Sequence, residues 1–219
     1  MNEFEKLFNR LTDKVYYKPY WDVLLKLYVQ SDRHYHNLQH IVSGLDELKE
    51  VKKKLSKEEL KEFSEDLVTF AWWGHDSIYY PGHLENGIPY VVKDNEEKSS
   101  MLICGFAREM GLPENFIRDL DELLMLTKHD KEPKNINGKI IVDVDLAILG
   151  QPSNIFDVYE QAIRREYSFV PEEIFKKERA KILQSFLNRK SIYYTDHFKN
   201  KYEEQARKNL EYSIFKLGL

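Results

Sequence analysis

Apolar residues return every three or four positions through most of this chain, and the prolines fall between those returns. Phe4, Leu7, Phe8 and Leu11 share one helical face, as do Trp21, Leu24, Leu25 and Tyr28, then Leu60, Phe63, Leu67, Phe70 and Ala71. The period resumes in Ile117, Leu120 and Leu124, in Tyr159, Ile163 and Tyr167, in Phe175, Ile182, Leu183 and Phe186, and in Tyr202, Ala206 and Leu210. Pro19, Pro81, Pro89, Pro113, Pro133, Pro152 and Pro171 lie between these runs, where a residue without an N–H does least damage. No comparable strand alternation is present. The pattern therefore predicts an all-α helical bundle. A chain of 219 residues can core one domain, and with neither repeat nor low-complexity linker the expectation is a single domain over residues 1–219. The longest non-periodic stretch, Ser77 to Asp94, directly follows a His75-Asp76 pair and is expected to be a functional loop.

Charge and composition narrow the chemistry. At 42% hydrophobic and 32% charged the chain is ordinary globular material. Its net charge of −4, with Lys and Arg dispersed, gives no drive toward nucleic acid or anionic membrane, so nucleic-acid binding is not indicated and a small-molecule partner is expected. The single cysteine, Cys104, excludes an intramolecular disulfide framework and a Cys-rich zinc site, and it suits a small core position. No apolar run is long enough to span a bilayer, and the first ten residues carry charges among their apolar positions. A cytoplasmic protein with no membrane association is the expectation.

Four segments concentrate the chemistry. In Arg33-His34-Tyr35-His36-Asn37-Leu38-Gln39-His40-Ile41, His36 and His40 share a face if a helix begins there, with a core stripe of Ile41, Leu45 and Leu48 beside His40. Gly44, one turn on, removes a side chain that would crowd a ligand. The alternative is that both histidines are surface or hydrogen-bonded core residues. In the second segment, Ala71-Trp72-Trp73-Gly74-His75-Asp76 closes an apolar helix that starts near Lys57, so His75 continues the inward stripe of Leu67 and Ala71. Asp76 then opposes the helix macrodipole, a cost that a bound cation offsets; otherwise it is an exposed residue opening the next turn. The third segment is Thr127-Lys128-His129-Asp130. The fourth places Asp143 and Asp145 in the apolar run Ile140 to Gly150, where carboxylates need cations or donors. Asp143 alternatively serves as N-cap of the helix that follows. Together these are nitrogen and oxygen ligands without thiolate, which suits a catalytic ion with open positions.

Tyr35-His36-Asn37-x-x-His40, then His75-Asp76, then a distant aspartate in an apolar helix resembles the HD superfamily of metal-dependent phosphohydrolases. The resemblance is closer still to an uncharacterised bacterial group of predicted metal-dependent HD phosphohydrolases. It is carried by Arg33-x-Tyr35-His36, Asp94-Asn95-Glu96-x-x-Ser99, Thr127-Lys128, Asp143-x-Asp145-Leu146-Ala147-Ile148-Leu149-Gly150, Ile163-Arg164-x-Glu166-Tyr167 and Ala206-Arg207-x-Asn209-Leu210. The dipeptide alone is weak, whereas four segments in this order span most of the chain.

The resemblance implies an HD-type helical bundle in which His40, His75, Asp76 and Asp145 hold a divalent ion (Mn, Mg, Zn, Fe, Co or Ni), with Asp145 preferred to Asp143 as the second position of Asp-x-Asp. It implies His36 as general acid toward the leaving oxygen, with His129 as a further ligand if a second ion is present. Such an ion lowers the pKa of bound water from about 15.7 toward roughly 7. Asp76 or Asp145 would orient the nucleophile, and Arg33 is a fork-shaped donor for phosphoryl charge. Arg164 and Arg207 are weaker donors, better read as partners of helix carboxylates such as Glu166. Glu96 either supports a ligating histidine or simply belongs to an acidic first helical turn. The implied activity is hydrolysis of a phosphate ester or anhydride of a nucleotide or other small molecule. Two alternatives use the same bundle: an HD-type iron oxygenase, and a non-catalytic nucleotide sensor.

Overall fold

A computed structural model describes residues 3–13 and 16–218; Met1, where the reading of the N-terminus begins, lies outside them. Eleven α-helices, a five-residue 3₁₀ segment and one two-stranded hairpin make up the regular structure of these residues, so the chain is all-α. None of the described helices is long and apolar enough to cross a membrane. The chain sorts into two compact units, one of residues up to Tyr80 together with Lys93–Val144, the other of Pro81–Val92 and the residues from Asp145 onward.

The first unit holds α1 (Glu3–Leu11), α2 (Lys18–Tyr28), α3 (Leu38–Lys52), α4 (Lys57–Glu62), α5 (Glu65–Gly74), α6 (Asn95–Glu109), α7 (Glu114–Leu126) and nearly all of α8 (Ile136–Asp145). α5 is buried on almost every side, at Leu67, Val68, Phe70, Ala71, Trp72, Trp73 and Gly74. A helix apolar all round belongs at the centre of a core. Trp73 receives Phe4 of α1 and Trp21 of α2, each edge-on at 5.5 Å, while Gly74 has Ile103 of α6 where a Cβ would stand. The continuous helix expected from Lys57 to His75 is broken. Phe63 is extended, and Asn137 Oδ1 accepts from Ser64 N at 2.8 Å, a side-chain partner that replaces a helical one. The register of the apolar stripe survives because α5 restarts at once.

The second unit contains β1 (Gly82–Glu85) and β2 (Ile88–Val91), paired antiparallel with Gly82 opposite Val91 and Glu85 opposite Ile88. The expected irregular loop over Ser77 to Asp94 is therefore a hairpin at its centre, and Pro89 sits in a strand. In a two-stranded ribbon both strands are edges, so one missing N–H is tolerated. Its turn, Asn86-Gly87, has positive φ at both residues (51° and 79°), as a type I′ turn requires. The unit continues through the 3₁₀ segment Leu146–Gly150, α9 (Ser153–Glu166), α10 (Glu172–Leu187) and α11 (Asp196–Lys216). Asn209 of α11 donates to Leu149 O and Gln151 O, both at 2.8 Å, and Gly150 lies so close to Tyr202 that a Cβ would meet its backbone. The sequence runs ending in Gly150 and containing Asn209 thus dock on one another. A buried network joins the other helices: Arg179 meets the Glu160 carboxylate and Tyr159 Oη, and Ser213 Oγ donates to Glu160.

Candidate metal centre

Three donor atoms converge in the first unit. His40 Nε2 and His75 Nε2 are 3.1 Å apart, Asp76 Oδ2 is 3.0 Å from His75 Nε2 and 3.5 Å from His40 Nε2. Ligands bound at about 2.0–2.2 Å to one ion stand roughly 3.0–3.5 Å from each other, so this triangle has the dimensions of one face of a coordination shell. Both imidazoles are buried, and 16% of the Asp76 side chain is exposed, so the cluster is reached past the carboxylate.

Local sequence explains each placement. Asn37 is the N-cap of α3, its Oδ1 accepting from Gln39 N and His40 N at 2.9 and 3.4 Å, which fixes His40 in the first turn. His36 consequently lies before the helix rather than in it, yet its ring centroid remains 6.2 Å from that of His40. His75 is the C-cap residue of α5, with Nδ1 2.9 Å from Trp72 O. That carbonyl can only accept, so Nδ1 carries the proton and Nε2 presents a lone pair to the triangle. Trp72 also stacks on His75 (4.3 Å, 21°) and meets His40 edge-on at 4.9 Å. Gly44 is required by this tryptophan, since a Cβ there would lie 2.0 Å from its ring. The space is taken by Trp72 rather than kept open for a ligand.

Arg33 is buried and braces the two ligand segments. It donates to Gln30 Oε1 (3.1 Å), His36 O (3.1 Å), Asp76 O (2.6 Å) and Ser77 O (2.8 Å). These bonds make it a positioning group for the site. Arg164 and Arg207 follow the quieter expectation, meeting Glu172 and Glu203 together with loop carbonyls.

The Asp94-Asn95-Glu96-x-x-Ser99 run opens α6 and anchors the residues after Asp76. Asn95 brackets Tyr80, accepting from its N–H at 3.2 Å and donating to its carbonyl at 3.1 Å; Ser99 does the same for Ile78 at 3.0 and 3.1 Å. Only the one-turn spacing of Asn95 and Ser99 marks these two brackets in the sequence. Glu96, in the same first turn, has its carboxyl pushed up, chiefly by burial, with the charge of Asp76 adding to the effect.

His129 occupies a left-handed position (φ 58°) just past α7 and is not among the three converging residues. Asp143 is completely buried inside α8, seven residues from its start, so it is not the N-cap of a following helix. Asp145, the last residue of α8, belongs to the second unit, where its charge raises Tyr159 slightly beyond the effects of burial and Arg179. Comparison of the chain with protein-family models, curated proteins and solved structures gives no match.

Burial pushes the Asp76 carboxyl up, but the charges of His75, His36 and His40 outweigh it and hold the group well below the usual carboxylate range. The carboxylate thus stays ionised through mild acid. A metal ion held here should be released in acid as protons compete for the two imidazole nitrogens, at a pH that falls as the concentration of the ion is raised. Metal content after equilibration at stepped pH and at two ion concentrations checks this; release at a pH independent of ion concentration would remove the imidazoles from the ligand set.

Proposed function

We propose that this chain is a divalent-metal-dependent phosphohydrolase acting on a small phosphate ester or anhydride, in keeping with its resemblance to the HD superfamily. The observation that carries the reading is the His40, His75 and Asp76 triangle with His75 Nδ1 satisfied by Trp72 O. An ion bound there supplies Lewis acidity and a deprotonated water at neutral pH. The chain's own residues supply the rest. His36 is outside the triangle but close enough for its charge to act on Asp76, the placement wanted of a proton donor to a leaving oxygen. Two imidazoles and one carboxylate also form the facial set of non-haem iron oxygenases, which keeps an iron enzyme as the second reading.

Elemental analysis of the purified protein and phosphate release from a panel of nucleotides, cyclic nucleotides and sugar phosphates separate the two. The phosphohydrolase reading requires release that disappears with chelator and returns with added ion; iron content with oxygen consumption and no phosphate release would overturn it. His36→Gln is expected to lower turnover by about 10²–10⁴-fold with metal content unchanged. Metal loss in that variant would make His36 a ligand.

A further inference from the structure

The His36 imidazole lies on the ring of Tyr79, centroids 4.0 Å apart and planes 21° from parallel. Tyr79 is only three residues beyond Asp76, in a stretch without helix or strand, where a side chain would ordinarily sample several rotamers. Here its backbone is fixed from both sides. Ser99 brackets Ile78, Asn95 brackets Tyr80, and Arg33 holds the Ser77 carbonyl. The Arg33 guanidinium also stands 5.7 Å from the Tyr79 ring centroid and 5.3 Å from that of Tyr28, and donates to the His36 carbonyl. Arg33, Tyr79 and His36 form one assembly, while Tyr35 closes the His36 ring edge-on at 4.9 Å.

We propose that Tyr79 is a positioning residue that holds the His36 imidazole beside the His40, His75 and Asp76 cluster. His36 precedes the N-cap of α3 and so lies outside that helix. The stacked Tyr79 ring covers one face of the imidazole, and an aromatic pair of this geometry contributes about 0.5–1.5 kcal/mol beyond the area it buries. The ring of Tyr79, not its hydroxyl, supplies that surface. The catalytic part of this inference rests on the phosphohydrolase reading; the positioning part does not.

The test compares Tyr79→Phe and Tyr79→Leu with wild type as the zinc-loaded full chain. Two quantities are read: the nuclear Overhauser contact between the His36 and His40 ring protons, and hydrolysis of p-nitrophenyl phosphate. Tyr79→Phe should keep the contact and the turnover. Tyr79→Leu should lose the contact and, because misplacement of a reacting group by an ångström is worth up to about 10²-fold, should drop kcat by roughly tenfold or more with KM and zinc content unchanged. A Tyr79→Leu protein that retains the ring contact, or retains kcat, overturns the proposal. If Tyr79→Leu does not fold, Asn95→Ala, which removes the bracket around Tyr80, must weaken the same contact; an unchanged contact there overturns it equally. A wild-type protein that releases no phosphate overturns the phosphohydrolase reading alone, and the ring contact then decides the role of Tyr79.

Discussion

Asp76→Ala is expected to lose its bound metal and, with it, nearly all phosphate release. Asp76 contributes the only carboxylate oxygen of the converging triangle and is ionised there, whereas the two imidazoles bind an ion only in their neutral form. Removing an outer partner of a metal ligand typically costs about 10–100-fold in affinity, so loss of the ligand itself should exceed that. Folding is expected to persist, because the variant also removes a buried charge. The family resemblance implies Asp145 as a fourth ligand. Two positions along a helix the aspartates point roughly 200° apart, given about 100° per residue, so they do not share a face. Metal content of Asp145→Ala and Asp143→Asn, measured beside Asp76→Ala, decides between them. Full occupancy and turnover in Asp76→Ala would end the metal assignment, whereas loss in Asp143→Asn with retention in Asp145→Ala would move the fourth ligand to Asp143.

Trp72→Ala should be the most destabilising single change at the site. The side chain is fully buried, donates from Nε1 to Ile41 O at 2.8 Å, and packs on the imidazoles of both His40 and His75. Emptying that volume costs about 3–5 kcal/mol, which for a chain of this size lowers Tm by roughly 6–20 °C. Gly44→Ala attacks the same contact from α3. Its methyl would stand 2.0 Å from the indole, so the tryptophan must move, at about 1–3 kcal/mol. Both variants should also bind metal less tightly, since His75 takes its tautomer from the Trp72 carbonyl and its ring plane from the indole. Thermal unfolding and metal titration of the two proteins check this. Unchanged unfolding of Gly44→Ala would show that the indole has somewhere else to go.

Helical periodicity made the bundle legible because most helices here bury one stripe, as Phe4, Leu7 and Phe8 do. The hairpin was missed for a physical reason and an avoidable one. Its strands are four residues long and one contains Pro89, so they carry no alternation to read. Asn86-Gly87, however, is a strong short-range hairpin signal and stood in plain view. The break at Phe63 and Ser64 could not be read, because the partner that makes it, Asn137, is 73 residues away. The same holds at the site. His40, His75 and Asp76 were visible as residue types at helix ends, but the brace from Arg33 to three backbone carbonyls has no sequence signature.

The brackets from α6 have a consequence for chain length. Asn95 holds Tyr80 by both backbone groups, so the residues on either side of the hairpin excursion are tied where it leaves and where it returns. The distance its ends must span is therefore set without reference to what lies between. Lengthening such an excursion costs only chain entropy, about 0.6 kcal/mol for each doubling. An insertion at the Asn86-Gly87 turn, where a Cβ on Gly87 would meet nothing, is accordingly compatible with one and the same arrangement of His36, Tyr79 and the three converging residues.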